Sequence, residues 1–411
     1  TICISHSNSF TGGPGGALQV NTAGNTDMYA AWNTHKASNK RILFCKADTW
    51  VASATIDAGS LSNMIVGGYG TGVAHTFASG TLVSVTPATG IGTMFQGGGA
   101  TDVKFCEFRI AANATHEGVA VTNATGTNLT WYKIETRGAY AGFSITTGSL
   151  SLNSLQQQVG NCLYECLVDE LYGYAGLTAD TPRVTGATAT NASPCVFTST
   201  GHQFNRFNTV KLIGTPPTGF NTTDSYYISG TNPTASTFSL SASRDVDTPL
   251  ASSSTATCDV TAQSLGGGMG AYVAMTRGGV MGCYFDNGNY GEQVIRAPYF
   301  VSSHINNNYL ARPNQGKNVL KLHSRLYTNI SGISGISGYS EKMCICGNIV
   351  DLRNGYSYGD AIPNNGQTAT GVGDPSIIIG FGNGGEGGDG GEYCRNIIVE
   401  NNYTQGCLGN P

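Results

Sequence analysis

Residues 279–324 read GVMGCYFDNGNYGEQVIRAPYFVSSHINNNYLARPNQGKNVLKLHS. Three short apolar runs recur in this stretch at roughly twenty-residue intervals: CYF, SHIN and NVLKL, separated by Gly, Asn and Pro. Two of them end alike, in Phe285-Asp286-Asn287-Gly288 and Ile305-Asn306-Asn307-Asn308. A short strand, a turn and a return at such a period describe one coil of a solenoid. Working outward, the rest of the chain either repeats this pattern or interrupts it.

Composition agrees. The chain has 411 residues, long enough for two or three ordinary domains, but a solenoid of that length can be one. Only 11% of residues are charged and 58 are Gly, which suits an all-β chain with many tight turns. The net charge of −4 is scattered with no basic block, which speaks against a nucleic-acid partner. No apolar run is long enough to cross a bilayer. The chain begins at Thr1 rather than Met, so a processed product or a fragment is expected.

From Asp102 onward, seven segments can be laid on one another as strand then polar turn. They are VKFCEFRI, LTWYKIETRG, NCLYECLVDELYG, VMGCYFDNG, SSHINNN, KMCICGNIVDLRNG and CRNIIVENN. Aligned, they place a polar residue after each apolar pair: Glu135, Asp169, Asp286, Asn306, Asp351 and Glu400. The interval from Asp169 to Asp286 is far too long for one coil. Most of the excess is residues 179–265, where short strands alternate with Gly/Pro/Asn turns as in a small antiparallel barrel. Three segments are therefore expected: 1–178 with the cap and first coils, 179–265 as the insertion, and 266–411 with the remaining coils. Before the first coils, Asp27–Ser38 has a helical pattern with an Asp cap, placed to cover the exposed end of the solenoid.

These segments also carry a resemblance. The succession TICIS, RILFCKADTW and IVGGYGTG resembles the opening of right-handed parallel β-helix proteins of the pectate-lyase-like superfamily. The stretch EQVIRAPYFVSSHINNNYLARPNQGKNVLKLHS resembles mid-helix coils of the same superfamily. The insertion, with its GHQF, YYI and STFSLS runs, is similar to a small β-domain that recurs in phage tail and virion proteins. Together these imply a right-handed parallel β-helix with an N-terminal capping helix and an inserted β-barrel. They further imply a tailspike-like polysaccharide depolymerase at an extracellular or virion surface, for which a homo-oligomer, a trimer in particular, is the expected assembly.

Chemistry is sought where stacking would concentrate it. Equivalent positions on successive coils lie about 4.8 Å apart. Glu135, Asp169 and Asp286 would then form a carboxylate column joined by Asn306, with Glu170, Tyr172 and Tyr174 beside it. Carboxylates about 5 Å apart suit a retaining glycoside hydrolase, those two coils apart an inverting one. Stacked like charges would raise one pKa and supply a proton donor. The competing reading is structural: Asp and Asn at a strand-to-turn position satisfy the backbone there. Glu292, Arg296, Tyr299 and His304 form a second polar cluster, in which Arg296 or His304 would neutralise a uronate or serve a lyase as base. A polysaccharide or cell-surface glycan is the expected partner. The alternative is a non-enzymatic adhesin, receptor-binding spike or structural subunit.

The twelve Cys read mainly as small core residues. Cys195 and Cys258, on the first and last strands expected in the insertion, are the candidate disulfide. No cofactor is expected. Glu386, Asp389 and Glu392 in the Gly-rich run 380–393 are Ca²⁺ candidates, but the nonapeptide repeat of calcium β-rolls is absent and a solvated loop is the reading taken. The motifs of serine hydrolases, NTPases, zincins and dinucleotide-binding enzymes are also missing.

Overall fold

The computed structural model describes the chain outside residues 89–90, 111–118, 138–140, 146–158, 170, 172–183, 201, 203–208, 225, 230–233, 235, 243–247, 263–268, 288–292, 312, 314–318, 323–339, 352–378, 382–393 and 406–411. Three strands make a typical coil. Ala271–Thr276, Gly279–Met281 and Tyr284–Asp286 are followed by Ile295–Val301, His304–Asn306 and Tyr309–Ala311, each strand pairing in parallel with its counterpart. Gly279 stacks on His304 and Tyr284 on Tyr309, a step of twenty-five residues. The apparent twenty-residue period arose because CYF, SHIN and NVLKL lie on three different strands of the coil. Repetition of this unit builds a 27-stranded sheet wound as a parallel β-helix.

Each coil turns at two bends, and both are made the same way. Glu107, Lys133, Glu165, Gly282, Asn307, Gly347 and Asn401 all have φ between 51° and 68°, and they stack at the bend between the second and third strands. The backbone N–H of each bend donates to the coil above, as from Gly282 to Asn306 O (3.0 Å) and from Asn307 to Cys346 O (3.0 Å). A side chain in this left-handed conformation costs about 1–2 kcal/mol, least for Asn, so the column is filled mostly by Gly and Asn where charge is not wanted. Where charge appears it alternates: Lys46 pairs with Glu107 (2.9 Å) and Lys133 with Glu165 (3.4 Å).

The residue after each bend turns inward and closes the core. Asn308 Nδ2 donates to Val280 O and to Asn348 Oδ1 (both 2.9 Å). Asn348 Nδ2 donates to Ile305 O and Asn402 Oδ1 (both 2.8 Å), and Asn402 Nδ2 to Ile345 O (2.8 Å). One coil earlier Cys283 takes the place, its N–H donating to Asn308 Oδ1 (2.9 Å). Between the bends the interior is apolar, with Phe95, Phe105, Phe108, Trp131, Phe143, Phe285 and Phe300 fully buried.

At the N-terminal end the helix Met28–His35 caps the coil. Asp27 Oδ1 accepts from Tyr29 N (3.0 Å), and Met28, Ala31 and Trp32 are buried on the first strands. The insertion is a closed six-stranded antiparallel barrel, its strands running from Val184–Ala189 to Ala256–Ala262, with its own core around Phe197, Leu212, Ile228, Phe238 and Val260. Phe143 pairs with Ala271 and Asp169 with Asp286, so the coils before and after the barrel stack as direct neighbours.

Candidate functional site

The register of the third strands defines two rows on the outer face. One row runs Glu135, Leu167, Tyr284, Tyr309, Ile349, Tyr403; the other runs Arg137, Asp169, Asp286, Ala311, Asp351, Gln405. Of the expected carboxylate column, therefore, Asp169 and Asp286 are adjacent and Asp351 follows across Ala311. Glu135 belongs to the neighbouring row, level with Leu167. Asn306 and Glu400 belong to the second strands, where Met281, Asn306, Cys346 and Glu400 stack. The physical reason is the left-handed bend: an alignment that puts Asn306 with Asp286 crosses it, and so pairs residues of different strands.

Over the Glu135 end of these rows folds a hairpin of Val73–Ala74 against Thr81–Pro87. Glu135 is fully buried beneath it. Its Oε1 accepts from Arg109 Nε (3.0 Å) and Thr76 Oγ1 (2.7 Å); its Oε2 accepts from Arg109 Nη2 (3.1 Å) and Thr76 N (3.2 Å). Arg109 Nη2 also donates to Ala74 O (2.6 Å), and Lys133 Nζ to Ser79 O (2.5 Å), so the hairpin is clasped to the coil at both ends. Burial alone would raise the Glu135 pKa, but the hydrogen bonds from Arg109 and Thr76 and the guanidinium charge outweigh it and hold it below the usual value. Glu135 is a fixed anion and a clasp, which is the reverse of the raised proton donor expected from stacked charges.

Beyond the hairpin the aromatic row begins. Phe77, 45% exposed at the hairpin tip, packs on Tyr284 (5.3 Å between ring centroids). Tyr284 stacks on Tyr309 at 4.6 Å with ring planes 5° apart, and Ile349 and Tyr403 continue the row at 42% and 61% exposure. Beside them Asp286 is buried and Asp351 is tied: Asp351 Oδ2 accepts from Tyr309 Oη and from Gln405 Nε2 (2.8 Å). Burial and the hydrogen bond to Asp351 push the Tyr309 phenol well above its ordinary pKa, with the Asp351, Tyr284 and Asp286 charges acting the same way.

The remaining expected site residues divide. Glu170, Tyr172, Tyr174 and Glu292, with the Ca²⁺ candidates Glu386, Asp389 and Glu392, lie outside the described residues, and of Asp169 only the backbone is described. Arg296 and Tyr299 lie on the first strand and His304 on the second. Arg296 lies over the Tyr272 ring (5.9 Å) on the first strand, Tyr299 is buried, and His304 is exposed past the bend on the second strand. Cys195 and Cys258 are both buried in the barrel and free. Cys195 precedes the second barrel strand rather than lying on the first, and the first strand pairs with both the second and the last. Among the described residues no group of three or more His, Cys, Asp or Glu is placed to hold a metal ion.

Sequence reasoning missed Phe77, Tyr284, Tyr309 and the Arg109–Thr76 clasp. For the tyrosines a signal existed. ECLVD, GCYFD, NNYLA, GNIVD and NNYTQ, beginning at Glu165, Gly282, Asn307, Gly347 and Asn401, are one repeat, and its third position is the aromatic row.

No protein-family profile matches the chain, and no curated protein matches it by sequence. Solved structures similar to it include the A-module of Azotobacter vinelandii mannuronan C-5 epimerase AlgE4, at 9% identity and TM-score 0.28 over 99% of this chain and 98% of that one. The AlgE6 A-module from the same organism matches at 10% identity and TM-score 0.26, over 93% of each chain. An endo-xylogalacturonan hydrolase from Aspergillus tubingensis matches at 9% and 0.26, over 93% and 91%. Likenesses at these scores carry nothing about chemistry; the topology itself identifies the chain as a parallel β-helix protein with an inserted barrel.

Proposed function

We propose that the protein acts on a polysaccharide laid along the third-strand face, across Phe77, Tyr284, Tyr309, Ile349 and Tyr403. The observation that carries this reading is the juxtaposition of a partly exposed aromatic row with a parallel row of Asp169, Asp286 and Asp351 positions. Sugar rings present apolar C–H faces and hydroxyls together, so a site for them needs aromatic surface beside fixed acceptors.

The chemistry proposed is retaining hydrolysis by Asp169 and Asp286. Their backbones are neighbours in register, about 4.8 Å apart along the sheet, and retaining hydrolysis requires that their carboxyl groups keep a comparable separation. Glu135 is excluded from an acid–base role because Arg109 and Thr76 occupy both its oxygens, and Asp351 is disfavoured because its Oδ2 already accepts from Tyr309 and Gln405. That same saturation favours one second reading, a glycan-binding surface protein without activity. An extracellular or virion location, with a tailspike-like role, is part of the proposal and rests on the resemblance of the inserted barrel.

The test is a panel of acidic and neutral polysaccharides, following new reducing ends and absorbance at ~235 nm. New reducing ends without absorbance support retaining hydrolysis if the anomeric configuration is kept. Absorbance would replace hydrolysis by β-elimination. Binding without either would establish the second reading, and neither binding nor cleavage would contradict both.

A further inference from the structure

We propose that Cys344 and Cys346 form a two-coordinate site for a soft monovalent cation, Cu(I) being the type, on the outer face of the second strands. This is a different face of the coil from the glycan rows, and the inference does not rest on that reading.

The two residues occupy successive outward positions of the strand Ser340–Cys346, on either side of the buried Ile345. Both are partly exposed and free. Lying two apart on one strand, they present their side chains on the same face of the sheet. The flanking strands are fixed by register: His304 lies beside Cys344 and Asn306 beside Cys346 on one side, Ile398 and Glu400 on the other. Asn306 Oδ1 accepts from Cys346 N (3.1 Å), tying the backbone between the two cysteines to the neighbouring coil. The pair is thus positioned by its neighbours rather than loosely displayed.

Strand geometry decides what such a pair can do. Residues two apart on a strand are separated by about 6.7 Å with their Cβ atoms pointing the same way. A disulfide needs Cβ atoms about 3.5–4.5 Å apart, so forming one would break the pairing of this strand with both neighbours. Two metal–sulfur bonds of about 2.3 Å each reach across the same gap without moving the backbone. Among the described residues no group of three or more His, Cys, Asp or Glu, His304 and Glu400 included, is placed to hold an ion, so the pair suits one content with two ligands, and thiolate selects Cu(I) among these.

Binding is balanced as Cu⁺ plus two thiols giving a bis-thiolate complex and two protons to solvent, with no electron transferred. Because two protons are released per ion bound, affinity should rise about a hundredfold per pH unit while both thiols are protonated.

The experiment uses the whole reduced protein under nitrogen, with Cu(I) supplied as its bicinchoninate complex and uptake read from loss of that complex's colour. One equivalent is expected to transfer. Cys344→Ser and Cys346→Ser should each lower its affinity at least a hundredfold with an unchanged melting temperature, because both side chains face outward. Cys162→Ser, a single outward thiol in the same column as Cys344, should bind as the parent does. Retention of the equivalent in either Cys344→Ser or Cys346→Ser, or an affinity that rises only tenfold per pH unit, would overturn the dithiol site.

Discussion

At the residue scale the clearest lesson is that burial and partners set what an acid can do. Glu135 is the most buried acid described and the least available, because Arg109 and Thr76 use both of its oxygens. Glu135→Gln should therefore destabilise the protein by about 3–5 kcal/mol, the cost of leaving Arg109 without its partner. Chemical denaturation measures it. The pH dependence has a definite sign. The Glu135 pKa is depressed, so its contribution is complete above the ordinary 4.5 and is lost as pH falls through the lower native value. His75, at the base of the same hairpin, is also depressed, chiefly by burial, with Lys133 and Arg109 reinforcing and Glu135 opposing. Its contribution is complete above 6.5 and is lost as pH falls below it. Melting temperature should then fall in two stages on acidification, and His75→Gln should remove the upper one. A single stage unchanged by that substitution would contradict this account.

At the scale of the element, the bend governs everything. Asn348 donates to two acceptors and accepts from its neighbour within a ladder that ties four coils together. Asn348→Ala should cost several kcal/mol, since it strands buried groups of Asn308, Ile305 and Asn402. Lys342, in contrast, is exposed with φ 57°, and Lys342→Gly should be neutral to stabilising by about 1 kcal/mol. Equal losses at the two positions in urea unfolding would sink the argument.

These bends also explain what could be read from the chain. The coil itself was legible, because apolar pairs alternate with outward residues and Gly or Asn recurs where φ must be positive. The helix cap was legible from Asp27 and its apolar stripe. The site was legible only in part. Asp169 and Asp286 were matched correctly, but Asn306 and Glu400 were matched with them although they sit before the bend and Asp286 after it. The polar turn looks the same on either side of the bend, and only pairing separates the two. Half of the Glu135 clasp lay in the aligned segments, since Arg109 is level with Glu135 one coil earlier; the other half could not be read, because Thr76 comes from a hairpin fifty-nine residues away.

The whole molecule is a continuous stack of coils carrying an insertion that leaves the stack unbroken. Excising residues 184–262 and joining the ends by a short linker should leave the coils folded, since Phe143–Ala271 and Asp169–Asp286 pair directly across the gap. A β-sheet circular dichroism spectrum and a cooperative melt would show this; loss of both would mean that the barrel holds the coils together. The central claim is that the paired acids of these neighbouring coils cut a glycan seated on the aromatic row. It is tested most directly by comparing parent and Asp286→Asn on a polysaccharide the protein binds, measuring reducing-end release and affinity together. The account predicts at least a thousandfold slower release with affinity within a few-fold of the parent. Release at the parent rate by Asp286→Asn would contradict it.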